Sequence, residues 1–149
     1  MTNKIIKQSL QANIIIKNAI AGEDIEIGSF IELNALSKAI KAPSNSTGVY
    51  PQYKRIAIED AIQGKKVQDK YSTGQNLVYA IIGSGDRIYA NAKQATNFTV
   101  GDDIGVMETA GEVNKNTITT AGSSSGKIGF VVEAKTTTST KDLILIEVY

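Results

Sequence analysis

Residues 127–149 read KIGFVVEAKTTTSTKDLILIEVY, two apolar runs separated by a polar stretch. In the first run Ile128, Phe130, Val132 and Ala134 fall on one face of an extended chain. Lys127, Gly129, Val131 and Glu133 fall on the other. That period of two marks a half-buried strand, with the 128/130/132/134 face inward. The second run, Asp142–Tyr149, is apolar on both faces for most of its length. Such a strand belongs in the middle of a sheet or turns one face toward another subunit. Lys135–Lys141 between them, almost all threonine, serine and lysine, predicts the tip of a hairpin.

Immediately upstream, AGSSSGKIG (121–129) has the look of a phosphate loop. Such a loop needs G-x-x-x-x-G-K-[ST] and a following helix whose amides face the phosphates. Here three residues separate Gly122 from Gly126 rather than four, and Ile128 stands where the hydroxyl should be. A strand follows, so the stretch reads as a turn. Gly83-Ser84-Gly85-Asp86 lacks the third glycine of a dinucleotide fingerprint and reads the same way.

The same alternation recurs at Asp24–Ile27 and Arg55–Glu59, and Leu77–Ile82 is apolar on both faces, like the C-terminal run. Three strands are introduced by a glycine and an acid: Gly22-Glu23-Asp24, Gly85-Asp86 and Gly101-Asp102-Asp103. Glycine supplies a positive φ there, and the acid is expected to hydrogen-bond its own turn. Leu33–Lys41 fits two helical turns, or a strand and loop, equally well. Pro43 and Pro51 bracket SNSTGVY, the best candidate for a long exposed loop. These signals predict an all-β (mainly β) chain, a small β-barrel or sandwich with long loops and little helix. Residues 21–149 form the single β-barrel domain, and residues 1–20 are an N-terminal arm or the first strand.

Composition narrows the function. The chain has 149 residues and no cysteine or histidine, which removes thiol chemistry, Ser-His-Asp triads and the usual zinc sites. Its net charge of +1 gives no electrostatic reason to expect nucleic-acid binding. No run approaches a membrane span or a signal peptide's apolar stretch, so no membrane partner is expected. Asp86, Asp102 and Asp103 lack the spacing of a calcium loop, and neither cofactor nor metal is expected.

From Arg55 onward the order of elements carries a resemblance. Ile56–Asp60 is followed by the glycine and lysines of Gly64–Lys66, then by Val78-Tyr79-Ala80, Gly85–Ala90 and Val100–Ile104. Ala110-Gly111-Glu112-Val113, Lys127–Ala134 and the closing Ile146-Glu147-Val148 complete the series. This order resembles head decoration, or capsid cement, proteins of tailed bacterial and archaeal viruses, and Glu26–Leu33 resembles their first barrel strands. The resemblance implies a non-enzymatic structural virion protein, made in the host cytoplasm and carried on the head surface. It would form a homotrimer that docks on the major capsid protein of the mature head and stabilises the shell. On that reading Ile5, Ile6, Ile14, Ile15 and Ile16, two apolar clusters within Lys4–Ile20, are the capsid-binding residues. Leu143, Leu145 and Tyr149 are expected at the subunit interface. A tail, pilus or surface-layer subunit would share this composition. So would a carbohydrate-binding β-domain, although the chain has no tryptophan to stack on a sugar.

Overall fold

The computed structural model describes residues 4–9, 14–44, 54–116 and 126–149. Among them there is no helix, and the chain is all-β. The C-terminal run forms β15 (Leu143–Val148), which lies between β9 (Arg87–Asn91) and β13 (Gly129–Val131), antiparallel to both. Outward from these come β1 (Ile6–Gln8) beside β9, and β11 (Asp103–Gly105) then β12 (Asn114–Lys115) beyond β13. A second sheet has β8 (Asn76–Ile81) between β2 (Ile15–Ile20) and β6 (Arg55–Ala57). Both runs that are apolar on two faces are therefore central strands, as their composition demands.

Three two-stranded ribbons fill the remainder. They are β3 (Ile25–Glu26) with β7 (Lys70–Tyr71), β4 (Ile31–Leu33) with β5 (Ala39–Lys41), and β10 (Asn97–Phe98) with β14 (Lys135–Thr136). Among the described residues the sheets keep free edges, so the arrangement is sandwich-like rather than a closed barrel. Phe30, Tyr71 and Phe98 are fully buried with isoleucines from both sheets, among them Ile56, Ile88 and Ile144. Each such isoleucine contributes about 1.5–3 kcal/mol by leaving water.

Leu33–Lys41 is a hairpin, not helical turns. The Asn34 side chain accepts the amides of Leu36 and Lys38 at 2.9 and 3.0 Å, and Ser37 takes a φ of 57°. An Asx turn of this kind outcompetes a helix start. Two of the glycine–acid turns are built as expected. Asp86 Oδ2 accepts the Gly83 amide and Asp102 Oδ2 accepts the Thr99 amide, both at 2.8 Å, with Gly85 and Gly101 at φ 86° and 89°. Asp24 differs: it accepts the amide of distant Thr73 at 3.0 Å and pairs with Lys70 at 3.0 Å, tying β3 to the β7 turn.

The parity expected of residues 127–134 is corrected. Val131 is fully buried, whereas Phe130 and Val132 are only partly buried and Ala134 is exposed. Ile128 is buried just before the strand begins, its amide donating to the Ile104 carbonyl at 2.9 Å. Counting from it therefore misplaces the strand's inner face by one residue. Residues 45–53, which hold most of the Pro43–Pro51 loop, and residues 121–125 of AGSSSGKIG lie outside the described residues.

Candidate functional site

Within the first twenty residues, β1 pairs with β9 through Ile6 and Ile88, and β2 pairs with β8 from Ile15↔Ile81 to Ile20↔Asn76. The five isoleucines expected to grip a shell are thereby divided between two sheets. Ile5 is fully buried, its carbonyl accepting the Tyr89 amide at 2.8 Å, so it serves this chain's own core and not an outer surface. Ile6 and Ile14 are half-buried. Ile15 and Ile16 are 49% and 58% exposed, and Ile20, which sequence reasoning passed over, is 45% exposed.

These last three lie on one edge strand, pointing to both of its faces. Natural edge strands are commonly protected by lysines, prolines or bulges. β2 has one lysine, Lys17, no proline, and an uninterrupted register with β8 over all six residues. Ile20 was detectable in principle, because it continues the i, i+2 pattern of Ile16 and Asn18.

The residues expected at a subunit interface also separate. Leu145 is buried, and Leu143 lines a cleft of about 350 Å³ with Tyr89 and Val67. Tyr149 is exposed. Its ring tilts against Phe130 at 5.8 Å between centroids, and its hydroxyl donates to Asp103. Partial burial and that carboxylate push the Tyr149 hydroxyl up to about 12. Asp103 is itself held below the usual carboxylate range by Lys127, 2.7 Å away, and by Tyr149.

A polar region lies beside the core. A cleft of about 190 Å³ and another of about 60 Å³ share Glu26, Asn91 and Glu112. The smaller of these shares Lys141 and Asp142 with the 350 Å³ cleft. Lys141 donates to the carbonyls of Val67 at 2.7 Å and Asp69 at 3.3 Å, and burial lowers its affinity for a proton. Glu112 is pushed up by burial and by its neighbour Glu26. Asn91 Nδ2 donates to Ser29 Oγ at 2.8 Å, while Asn91 Oδ1 is buried with no partner. Among the described residues no three carboxylates converge as metal ligands.

No protein-family model matches the chain, and no curated protein matches it. Among solved structures, the crystal structure of the head fiber gp8.5 N base in bacteriophage phi29 is similar in fold, with a TM-score of 0.57. The match covers 92% of this chain and 95% of that one, at 10% sequence identity.

Proposed function

We propose that this chain is a structural protein of a bacteriophage head, seated on the outside of the mature shell, where it stabilises the capsid. One observation carries the reading: the fold likeness to a phage head-fiber base runs through nearly the whole of both chains. The order of strands and glycine turns, which resembles that of capsid decoration proteins, supports it independently. At such low identity the architecture is what the two proteins have in common, so the contact with the shell is argued from this chain's own surface.

That contact is the β2 edge. Among the described residues β2 has β8 on one side and no strand on the other; an edge of that kind offers amides and carbonyls to a neighbouring strand, and its side chains add specificity. Ile15, Ile16 and Ile20 supply the apolar area, in place of the buried Ile5. A homotrimer bound to the major capsid protein would multiply three such modest contacts by effective concentration.

Co-sedimentation of the protein with expanded, undecorated heads tests the reading, with unexpanded procapsids as the control. Saturable binding to expanded heads is expected. Ile15→Asp/Ile16→Asp should weaken it at least ~100-fold, since two lost isoleucine contacts are each worth about 1.5–3 kcal/mol. Its melting temperature should stay near the parent's, because exposed positions contribute little to stability. No binding by the parent overturns the head assignment, and undiminished binding by the variant removes β2 as the grip.

A further inference from the structure

Isoleucines are not all that the β2 edge presents. Ile15, Ile81 and Arg55 stand in one row across β2, β8 and β6, since Ile15 and Arg55 both pair with Ile81. Directly paired residues share a face, so Arg55 lies on the Ile15 side of this sheet. Lys17, two residues on from Ile15 and opposite Tyr79, lies there too. Lys54, just before Arg55, is exposed and alternates to the other face, that of Ile16. Its carbonyl accepts the Ile82 amide at 2.8 Å, which keeps it in line with the end of β8. Both faces of the edge on which the isoleucines are exposed therefore carry a cation.

Among the described residues none of these three charges is answered. Elsewhere the chain pairs its charges: seven Lys or Arg side chains form ion pairs, from Lys41 with Glu23 to Lys135 with Asp142. Lys17, Lys54 and Arg55 form none, and Arg55 Nε is buried with no partner. Glu59, four residues beyond Arg55, accepts the Ile5 amide at 3.1 Å instead. Residues 1–22 hold three lysines and no acid, although the whole chain stands at only +1. The cation excess is thus a local property of this edge.

These charges choose among the occupants that could lie against β2. A second copy of β2 would set the same cations beside themselves, and like charges across a strand pair are destabilising. A nucleic acid or an anionic lipid surface would answer the cations, but neither supplies a strand's alternating amides and carbonyls. An extended peptide with alternating acidic and apolar side chains meets every demand at once. We infer that the β2 edge receives an acidic strand, its carboxylates beside Lys17 and its apolar side chains beside Ile16 and Ile20 on the other face. Arg55 and Lys54, on β6 and just ahead of it, add a longer-range attraction that salt screens. The inference rests on the reading of β2 as the grip on the shell and assigns the chemistry of the shell's strand.

The test is a titration of the isotopically labelled full chain with three capped peptides, TEVEVEVT, TQVQVQVT and TKVKVKVT, followed by amide chemical shifts. The acidic peptide should give saturable shifts centred on residues 15–20 and bind about threefold to fivefold more tightly than the neutral one, the worth of one close cross-strand ion pair. The basic peptide should bind most weakly, and the differences should shrink in about 0.5 M salt. Lys17→Glu, at an exposed position, should abolish the acidic peptide's advantage and raise the affinity of the basic one, a change that a folding defect does not produce. The inference is overturned by the absence of saturable shifts with the acidic peptide, by shifts that map away from β2, by equal affinity for the three peptides, or by an order that Lys17→Glu leaves unchanged. Tighter occupation of β2 by a short DNA duplex or by phosphatidylglycerol vesicles would overturn a protein strand as the partner. No head takes part, so this outcome is separate from co-sedimentation. Head binding without an acidic preference removes this inference alone, whereas an acidic preference without head binding removes the head assignment and leaves the acidic strand as the occupant of β2.

Discussion

Gly129→Ala should unfold the protein at a temperature about 9–15 °C lower than the parent. A Cβ at position 129 would lie 2.2 Å from the carbonyl oxygen of Glu147, 3.1 Å from its carbon and 3.3 Å from the Cα of Val148. All three atoms are main chain of β15, which β9 holds from its other side, so no side chain can swing away. Restoring even the 3.0 Å limit for such contacts requires β13 and β15 to part by 0.8 Å. The Tyr149 amide donates to Ile128 at 3.0 Å and the Val132 amide to Leu145 at 3.0 Å. Separation on that scale stretches both beyond hydrogen-bond range. Two such losses at about 1 kcal/mol each, with overpacking of about 1–3 kcal/mol, give a destabilisation of about 3–5 kcal/mol. For a chain of this length each kcal/mol lowers the midpoint by roughly 3 °C. Thermal unfolding followed by circular dichroism reads the shift directly. Gly64→Ala is the control: its φ is +68°, but no atom lies within 4 Å of the new Cβ, so only backbone strain of about 1 kcal/mol is expected. If Gly129→Ala melted no lower than Gly64→Ala, the close approach of β13 to β15 would be refuted.

Tyr71→Phe should lower the urea midpoint by an amount equivalent to about 1–2 kcal/mol, because the fully buried Tyr71 hydroxyl donates to the Ile58 carbonyl at 2.8 Å; an unchanged midpoint would rule that bond out. Stability should fall as pH drops from about 4 toward 2, in part through Asp24. The Thr73 amide, then Lys70, hold its carboxyl down at about 2 in the folded chain. A group whose acidity rises on folding stabilises above its unfolded pKa and ceases to do so as it protonates. Asp24→Asn should therefore show a shallower loss of melting temperature across that window, and a parallel profile would exclude Asp24 as a source.

The sheet centres were legible in the sequence because burial on both sides leaves a continuous apolar run, as at Leu77–Ile82 and Leu143–Val148. Phase was not. Val131 and Val132 are chemically identical, and only the placement of Ile128 ahead of the strand decides which one faces inward. The glycine–acid turn was legible at Asp86 and Asp102 because its hydrogen bonds are local. The same geometry at Ser72–Gln75, with Gln75 Oε1 accepting the Ser72 amide at 2.8 Å, passed unnoticed because an amide stands in for the acid. The Asp24 contacts and the polar clefts were invisible for a common reason: both depend on residues brought together from distant parts of the chain. Ile5 and Ile15 look alike in sequence, and only the partner strand of each separates a core residue from a surface one.

The pairing of β2 with β8 also sets the order in which the protein takes shape during synthesis. Ile16 meets Ala80, some 64 positions later in the chain. At elongation speeds of about 5–20 residues per second that interval is about 3–13 s. Throughout it the isoleucines of the first twenty residues have been made but their partner strands have not. Non-local strand pairing is slow even once the whole chain is present. The segment that ends as an exposed edge strand is thus, for the first seconds of its existence, a sticky nascent peptide and a natural client for a chaperone.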